Sequence, residues 1–369
     1  MTVENNQIDF SSQRIIVGID VHKRNWTVTI RMNAMELKTF TMNPSPEELG
    51  NYLKKNYPGG QYSSVYEAGF CGYWIDRRLS VLGIKNIIVN PADVPTKSKE
   101  RVNRNDRVDS RKLARELESG TLDAIYIPTE FQQELKSLSR LRCQLVKDQT
   151  RLKNRIKCLL LLYGKQIPEN QEVKNWSGNF IKYLEGVQFN TSIGKETLLT
   201  YISELKEKKR KIAATLKSLR SYASEYGVKQ TVDNITSVPG IGFTTAITLF
   251  AELVNINRFS SIDELCSYVG LVPSIDSTGD KERVLGISKR HSKFLRNILI
   301  EAAWIAVRKD PALTLRFSQL ASRMSKQKAI IRIAKKLLSR IRFVWKNNKR
   351  YEMMIVTQSR RKYNNLSMK

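Results

Sequence analysis

The chain has 369 residues, of which 41% are hydrophobic, and its 63 Lys and Arg outnumber 35 Asp and Glu to give a net charge of +28. A chain of this length is expected to divide into two or three domains, each with its own core. The positive charge indicates a polyanionic partner. Because the sequence has no run of 18 apolar residues and no basic-then-apolar signal pattern, we expect nucleic acid rather than a membrane, and a cytoplasmic protein.

The contents of cysteine and histidine limit the possible chemistry. The four cysteines lie far apart without CxxC spacing, and the two histidines are His22 and His291. This excludes a zinc finger of any usual type. It also argues against a Ser-His-Asp hydrolase, whose nucleophile needs an imidazole within hydrogen-bond reach. Any chemistry is therefore expected to depend on carboxylates, hydroxyls and an added metal ion.

The first part of the chain has the pattern of an α/β domain. Residues 14–31 predict a buried strand, a polar turn and a half-buried partner strand, and residues 36–42 predict a third strand. Helices and strands then alternate, with predicted elements at 44–57 (helix), 63–69 (strand), 73–83 (helix) and 86–90 (strand). Three meandering strands followed by alternating helices and strands indicate a mixed sheet.

The hydrophobic period changes at Leu135. One series of apolar residues, interrupted by a few polar ones, runs from Leu135 to Leu159 in alternating steps of three and four, and another runs from Leu198 to Leu219. These heptad patterns are typical of paired long helices. An intramolecular antiparallel hairpin and an intermolecular coiled coil explain them about equally well. Residues 168–179, between the two series, are expected to form a loop.

A Pro-Gly-Ile-Gly turn between apolar segments opens the third region, at residues 235–253. It resembles a helix-hairpin-helix, in which Gly240 and Gly242 would let backbone N–H groups approach a phosphate. A glycine turn between two core helices would look similar. The capping-box spacing of Ser261 and Glu264 then predicts a short helix.

The remaining residues predict a polar loop or small hairpin at 271–290 and an amphipathic helix at 291–310. From Ala329 onward the chain is rich in Lys and Arg with hardly an acid. Such a segment suits a phosphate-facing surface. A solvated basic face is the alternative, and the net charge of the whole chain argues against it.

Four carboxylates form the candidate metal site. Asp20 interrupts an apolar strand, where an unpaired carboxylate is costly, and Glu67 closes the fourth strand. If the first and fourth strands are neighbours, both side chains project near one sheet edge. Asp106 and Asp109 lie one helical turn apart on a shared helix face. Oxygen ligands with almost no histidine suit a hard cation such as Mg²⁺.

Each carboxylate also has a purely structural interpretation. Asp106 could be an N-cap and Asp109 a first-turn acid that favours the helix dipole, which is the better explanation for that pair in isolation. Glu67 could pair with an Arg at a strand end. Asp20 is the hardest to explain structurally, because strand centres rarely tolerate an unpaired Asp. The four residues as an ordered set favour the metal site.

These motifs resemble those of a known family. Asp20 in "GIDVHK", Glu67 in "YEAG" and Asp106 with Asp109 in "NDRVDSRKLA" look like the DEDD motif of the RuvC-like domain in transposases of the insertion sequence 110 and 1111 family, which includes pilin-gene invertases. A second signature of that family is matched by "VPGIG", "YVGLVP" and "STGDKERVLGISKR". The resemblance spans about residues 14 to 345.

The resemblance implies a fold with an α/β RNase H-like (RuvC-like) domain, a helical coiled-coil segment and a mostly α C-terminal domain. The corresponding boundaries are 14–125 for the DEDD metal-binding domain, 130–228 for the coiled-coil segment, 229–345 for the C-terminal transposase domain and 346–369 for a basic tail. It also implies a nucleophile, Ser277, that attacks a DNA phosphate and forms a covalent phosphoserine link. From local sequence alone, Ser277 and Thr278 would be turn residues.

The expected function is therefore DNA transposition by a bacterial recombinase, nucleoid-associated when bound to DNA, with Mg²⁺ on Asp20, Glu67, Asp106 and Asp109. The resemblance further implies a homodimer or homotetramer and a structured bridge or seeker RNA that selects DNA by base pairing. Basic residues near Ser277 could steady phosphates: Lys281, Arg283, Lys289 and Arg290. The alternatives are a site-specific invertase of the same family, a RuvC-like metal nuclease that does not need Ser277, and a non-catalytic basic architectural or RNA-binding protein.

Overall fold

A computed structural model describes residues 9–95, 105–167, 176–278, 281–287 and 292–353, with only the backbone described in 273–278 and 281–287. The chain forms two compact units, Met1–Ile127 and Pro128–Lys369. The first combines a five-stranded sheet with helices, and the second is mostly helical with one two-stranded hairpin. In the part of the chain that is described, no helix combines the length and the apolar character needed to cross a membrane.

The first unit contains five strands in the sheet order β3-β2-β1-β4-β5. Their bounds are β1 Arg14–Val21, β2 Trp26–Met32, β3 Met35–Met42, β4 Gln61–Glu67 and β5 Lys85–Val89. The helices are α1 Pro46–Asn56, α2 Trp74–Val81 and α3 Asp106–Glu118. Every strand and helix predicted between residues 14 and 90 is present, with ends shifted by a few residues.

The sheet is mixed, as the sequence predicted. Strand β1 pairs antiparallel with β2 and parallel with β4, and β4 pairs parallel with β5. The expectation that the first and fourth strands are neighbours is thus confirmed. Ile19 pairs with Tyr66, so the next residues, Asp20 and Glu67, lie side by side where the two strands end. Asp20 is the second-last residue of β1, not a residue of the strand centre.

Apolar side chains cover both faces of the sheet. One face contributes Ile15, Val17 and Ile19 to a core shared with α1 and α2. The other face contributes Val65 and Val89 to a smaller core that includes Leu113 of α3. Because β1 is covered on both sides, its sequence is a continuous apolar run instead of an alternating one.

Helix α3 lies very close to β1 because residue 18 is glycine. A Cβ at Gly18 would lie 2.2 Å from the Ser110 carbonyl oxygen, so no larger residue fits there without moving the helix. The buried Ser110 Oγ is 2.9 Å from Thr29 Oγ1 on β2. At the other end of the helix, Glu118 accepts a 2.7 Å hydrogen bond from Arg31 Nε. These contacts fix the N-terminus of α3 near the ends of β1 and β4.

The second unit begins with two long helices that pack against each other. These are α4 Glu130–Leu162 and α6 Ser192–Glu225, separated by α5 Gly178–Gly186. The core contacts show their direction: Leu152 of α4 shares a core with Leu198 of α6, whereas Leu135 at the start of α4 shares one with Leu219 near the end of α6. The pair is an intramolecular antiparallel hairpin. An intermolecular coiled coil remains a prediction.

The rest of the second unit is a helical core with one hairpin. Its elements are α7 Lys229–Thr236, α8 Phe243–Leu253, a 3-10 turn Ile256–Arg258, α9 Ile262–Val269, β6 Pro273–Thr278, β7 Lys281–Ile287, α10 Lys293–Lys309, α11 Pro311–Ala321 and α12 Lys326–Lys346. Strands β6 and β7 pair antiparallel, which selects the small hairpin over a polar loop. As predicted, Ser261 caps α9 by accepting a hydrogen bond from the Glu264 N–H at 3.1 Å.

Candidate active site

Three side chains converge at the end of β1. His22 Nε2 lies 3.2 Å from Asp20 Oδ2 and 3.5 Å from Asp106 Oδ1. One ligand atom from each residue lies within 4.8 Å of the other two. Asp20 and His22 are two residues apart at a strand end, and Asp106 begins α3. The close packing of α3 on Gly18 therefore determines the distance between these groups.

The other two predicted carboxylates meet through a lysine. Lys112 Nζ lies 3.1 Å from Asp109 Oδ1 and 3.6 Å from Glu67 Oε1. The Lys112 side chain is only 8% exposed, and a buried ammonium needs such partners. The structure thus places all four predicted carboxylates around the ends of β1 and β4, with His22 and Lys112 between them.

The electrostatics of Asp20 differ from those of an ordinary surface carboxylate. The pKa of Asp20 is raised from its usual 3.8 to about 6: burial makes the largest contribution, the negative charges of Asp106 and Asp109 also raise it, and His22 acts in the opposite direction. A carboxylate with a raised pKa binds a positive charge more readily. Clusters that shift a pKa in this way are common at functional sites.

The N-terminus of α3 excludes Asp106 as the helix cap. Asn105, in extended conformation, is the N-cap, and its side-chain oxygen accepts a 2.9 Å hydrogen bond from the Val108 N–H. The interpretation of Asp106 as the cap is therefore wrong, because that position is filled by its neighbour. Asp106 and Asp109 both lie in the first turn, where the helix dipole favours their negative charge.

The donor set fits a hard divalent cation. Asp20 and Asp106 supply carboxylate oxygens, which Mg²⁺ and Mn²⁺ prefer, and His22 supplies an imidazole nitrogen, which Mn²⁺ accepts more readily than Mg²⁺ does. Burial first, and the charges of Asp106 and Asp109 second, disfavour the ionised form of Asp20, and a bound cation would offset both effects. Lys112 already performs this role for Glu67 and Asp109.

The predicted residues of the second unit are only partly described. Ser277 is the second-last residue of β6, and its backbone pairs with Glu282 of β7. Lys281 and Arg283 belong to β7, and their side chains, like that of Ser277, are outside the described part. Lys289 and Arg290 lie outside the described residues altogether.

The glycine turn does connect two helices, α7 and α8. Gly240 has a φ of 88°, and a Cβ there would lie 2.5 Å from the Ala302 carbonyl oxygen of α10. This close contact with a core helix is reason enough for a glycine at position 240. Gly242 precedes α8 as its N-cap residue and is exposed, with open space around its Cα, so a phosphate could reach the N–H groups at this end of α8.

Comparison with known proteins assigns the family. Residues 17–164 match DEDD_Tnp_IS110, a transposase domain, and residues 232–318 match the transposase family IS116/IS110/IS902. The four carboxylates lie within the first match and Ser277 within the second. The chain belongs to the IS116/IS110/IS902 transposase family.

Several named transposases are similar to this family member over most of its length. The transposase for insertion sequence element IS1111A of Coxiella burnetii is 28% identical over 282 residues, which cover 74% of each chain. The transposase for IS1533 of Leptospira borgpetersenii is 26% identical and covers 79% of this chain and 85% of its own. The protein y4qE of Sinorhizobium fredii, described as a transposase, is 27% identical over 65% of this chain, but only 57% of y4qE is matched.

Two residues of the candidate site, His22 and Lys112, are not among the residues that the sequence predicted. His22 follows Asp20 by two residues, just beyond the end of β1 at Val21, and residues two apart in an extended chain project to the same side. Lys112 follows Asp109 by three residues on α3, a spacing that brings the two side chains together. Neither residue is one of the four acids of the DEDD motif, so the family resemblance does not indicate them.

Proposed function

We propose that the protein is an insertion-sequence transposase that cleaves and rejoins DNA through a covalent serine–phosphate intermediate and depends on Mg²⁺. The observation that carries this proposal is the convergence of Asp20, His22 and Asp106 within 4.8 Å at the end of β1. Glu67 and Asp109 lie beside them, linked by Lys112. The membership of the family supports DNA as the substrate.

The architecture of the first unit supports an RNase H-like fold. The mixed sheet of order β3-β2-β1-β4-β5 has helices on both faces. Its first acidic residue is on the central strand, the second on the neighbouring parallel strand and the last two on a helix packed across the sheet. Carboxylates from three separate elements form a rigid site, since each is held by a different part of the core.

The residues of the first unit would position the scissile phosphate. Asp20, Glu67, Asp106 and Asp109 are the ligands that we assign to Mg²⁺, and His22 stands close enough to share in ligation or to hold Asp20 in place. A divalent ion bound there would neutralise charge on the phosphate and favour ionised hydroxyl groups. Without it, four carboxylates would repel a DNA phosphate.

Ser277 is the proposed nucleophile. Its Oγ would attack the phosphorus, form a Ser–O–P bond and break the bond from phosphorus to the 3′ oxygen, which leaves with the electron pair and takes up a proton. Reversal of this step by a different 3′-hydroxyl would rejoin the strands and release the serine. The energy of the phosphodiester is retained, so rejoining needs no nucleotide cofactor.

Assembly and guidance complete the proposal. Ser277 and the carboxylates belong to different units, and we infer from the family resemblance that the protein works as a homodimer or homotetramer. The net charge of +28 is compatible with binding of both DNA and a structured guide RNA. The same resemblance that suggested Ser277 suggests this RNA, as well as residence in the bacterial cytoplasm.

The test is capture of protein-linked DNA. Wild type, Ser277→Ala and Asp109→Ala would be incubated with Mg²⁺, a labelled element-end substrate and RNA from the flanking region, then denatured and separated on a gel. Wild type is expected to carry covalent DNA, and both variants are expected to lose it. Ser137→Ala and Asp123→Ala, which change exposed residues of the same types, are the matched controls and should behave as wild type.

Each remaining result selects an alternative. If Ser277→Ala still cuts DNA and Asp109→Ala does not, the protein is a metal-dependent nuclease. If both variants behave as wild type, the protein binds nucleic acid without this chemistry. A site-specific invertase would give the same protein-linked DNA, and it would be identified by inversion of a segment between two paired sites instead of insertion at a target.

A further inference from the structure

Helix α12 has a buried apolar face and an exposed basic one. Its inner residues pack into the core of the second unit, among them Ile333, Leu337 and Ile341, each with no exposed surface. The helix contains no Asp or Glu between residues 326 and 346. Its exposed side includes four cations and one aromatic residue, which we name the outer face of α12: Lys328, Arg332, Lys336, Phe343 and Lys346.

The outer face is a narrow stripe. At 100° per residue, its five members fall within an arc of about 80°, and from Lys328 to Lys346 they extend over about 27 Å. The α-helical spacing therefore aligns the four positive charges along one line. Such a line of cations complements the repeating charges of a polynucleotide backbone.

The cations of the outer face differ from the other basic residues of α12. Lys335 pairs with Asp263 at 2.7 Å, Arg340 with Asp310 at 2.6 Å, and Arg342 donates to the Phe259 carbonyl oxygen at 3.1 Å. In the portion of the chain that the structure describes, the side chains of the four outer-face cations have no ion pair with an acid. The helix thus uses three cations for internal contacts and leaves the four outer-face cations, together with Lys326 at its first residue, exposed to solvent.

Phe343 is the decisive residue of the outer face. Its side chain is 59% exposed, although burial of an aromatic ring is favourable and Ile341, two residues before it, is buried in the core. Beside it an open groove of about 530 Å³ is lined by Phe343, by three cations and by one acid, among others: Arg340, Lys349, Arg350 and Glu352. An exposed ring among cations is the arrangement that proteins use to stack an unpaired base while neighbouring Lys and Arg bind phosphates.

The C-terminal residues of this chain are poor candidates to cover this surface. Residues 354–369 contain four basic residues and no acid, so charge repulsion opposes their binding to the outer face. A DNA duplex would suit the cations but not the ring, since the faces of paired bases are stacked on each other. An unpaired strand satisfies both features.

We propose that the outer face of α12 binds single-stranded DNA, with phosphates on Arg332, Lys336 and Lys346 and one base stacked on Phe343. A transposase exposes unpaired DNA when it cuts and exchanges strands, and this surface would retain such a strand. The proposal depends on the family's action on DNA but not on Ser277. Binding can therefore be tested separately from cleavage.

The test measures binding of a fluorescent 20-nucleotide oligo(dT) to the full chain carrying Ser277→Ala, which removes the proposed cleavage. In this background, Arg332→Gln combined with Lys336→Gln is expected to weaken binding at least tenfold at about 150 mM salt. The slope of log K against log salt should fall by about 1.4, because about 0.7 counterions are released per neutralised phosphate of a single strand. Lys54→Gln with Lys55→Gln, two exposed lysines of α1, is the matched control.

Phe343 separates base stacking from charge attraction. Phe343→Leu is expected to weaken oligo(dT) binding about fivefold or more without changing the salt slope, and Phe343→Tyr is expected to retain it. Circular dichroism would check that each variant is folded, which is expected because all the changed residues are exposed.

Four results would overturn the proposal. The first three are unchanged oligo(dT) binding by the Arg332 and Lys336 variant, an equal loss of binding in the Lys54 and Lys55 control, and no effect of Phe343→Leu. The fourth is that oligo(U) or duplex DNA binds more tightly than oligo(dT) and that the same variants weaken this binding equally. Loss of cleavage without any loss of oligo(dT) binding in Ser277→Ala would leave this proposal supported and separate it from the serine mechanism.

Discussion

Glu252 in the second unit and Asp20 in the first are acidic residues whose side chains are mostly buried, but of the two only Glu252 has strong cationic partners. Glu252, whose side chain is 3% exposed, accepts two hydrogen bonds from Arg140, at 2.5 and 3.0 Å, and lies 3.3 Å from Lys136. Asp20 has His22 at 3.2 Å and two further acids nearby, and its pKa is raised to about 6.

The difference in cationic partners suggests a structural role for Glu252 and a binding role for Asp20. A buried acid that only holds helices together is neutralised by fixed cations, as Glu252 joins α8 to α4. An acid surrounded by other acids reduces stability unless something positive binds, and natural proteins retain such a cost mainly at functional sites. The contrast leads to predictions in which the two residues respond in opposite ways.

The largest expected effect is on DNA cleavage. Asp20→Asn should reduce the rate of strand cleavage by about 10³-fold, because it removes a ligand and a charge that act on the transition state. At neutral pH the same substitution should leave the protein as stable as wild type or more stable. Both quantities would be measured on one preparation, by single-turnover cleavage and by thermal unfolding. A parallel loss of stability and activity would assign Asp20 a structural role.

Arg140→Ala should have the reverse profile. It leaves the buried Glu252 with Lys136 alone, and removal of one partner from a buried ion pair costs about 3 kcal/mol. Urea unfolding should show this loss, and the first unit should retain its cation response. Arg151→Ala, which breaks an exposed ion pair with Asp148 within α4, is the control and should change stability by less than about 1 kcal/mol. Equal effects of the two variants would contradict the contrast.

The smallest predicted effect is a pH dependence of stability. Because the pKa of Asp20 rises from 3.8 to about 6 on folding, its contribution is fully favourable below pH 3.8 and is lost as the pH rises through 6. The loss is at most about 3 kcal/mol, at about 1.4 kcal/mol per pKa unit. Wild type should therefore lose stability relative to Asp20→Asn between about pH 4 and pH 7. A constant difference across this range would show that Asp20 titrates normally.

Much of the first unit could be predicted because the hydrophobic pattern of each segment matches the burial of its residues in the core. The apolar run of β1, the alternation of β2 and the proline at the start of α1 each indicate the element that forms. The acids at strand ends could also be placed, since the adjacency of parallel strands brings Asp20 and Glu67 to one edge. Sequence periodicity carries this kind of information because each side chain faces one core.

Contacts between distant residues were harder to predict. The local sequence does not show that α3 packs against β1 at Gly18, or that Gly240 contacts α10. A glycine can indicate a close contact, but it does not indicate which element makes that contact. The capping of α3 by Asn105 instead of Asp106 depended on one residue of register. The heptads of α4 and α6 were equally compatible with one chain or two, since the same apolar seam serves either partner.

A divalent-cation titration of thermal unfolding tests the central claim most directly. Mg²⁺ or Mn²⁺, added from about 0.1 to about 10 mM, should raise the Tm of wild type increasingly with concentration, because the ion binds the folded state. The same addition should not change the Tm of Asp20→Asn. It should shift the Tm of Arg140→Ala by as much as that of wild type. If the ions shift the Tm of wild type and Asp20→Asn equally, or shift neither, the carboxylates at the ends of β1 and β4 are not a cation site.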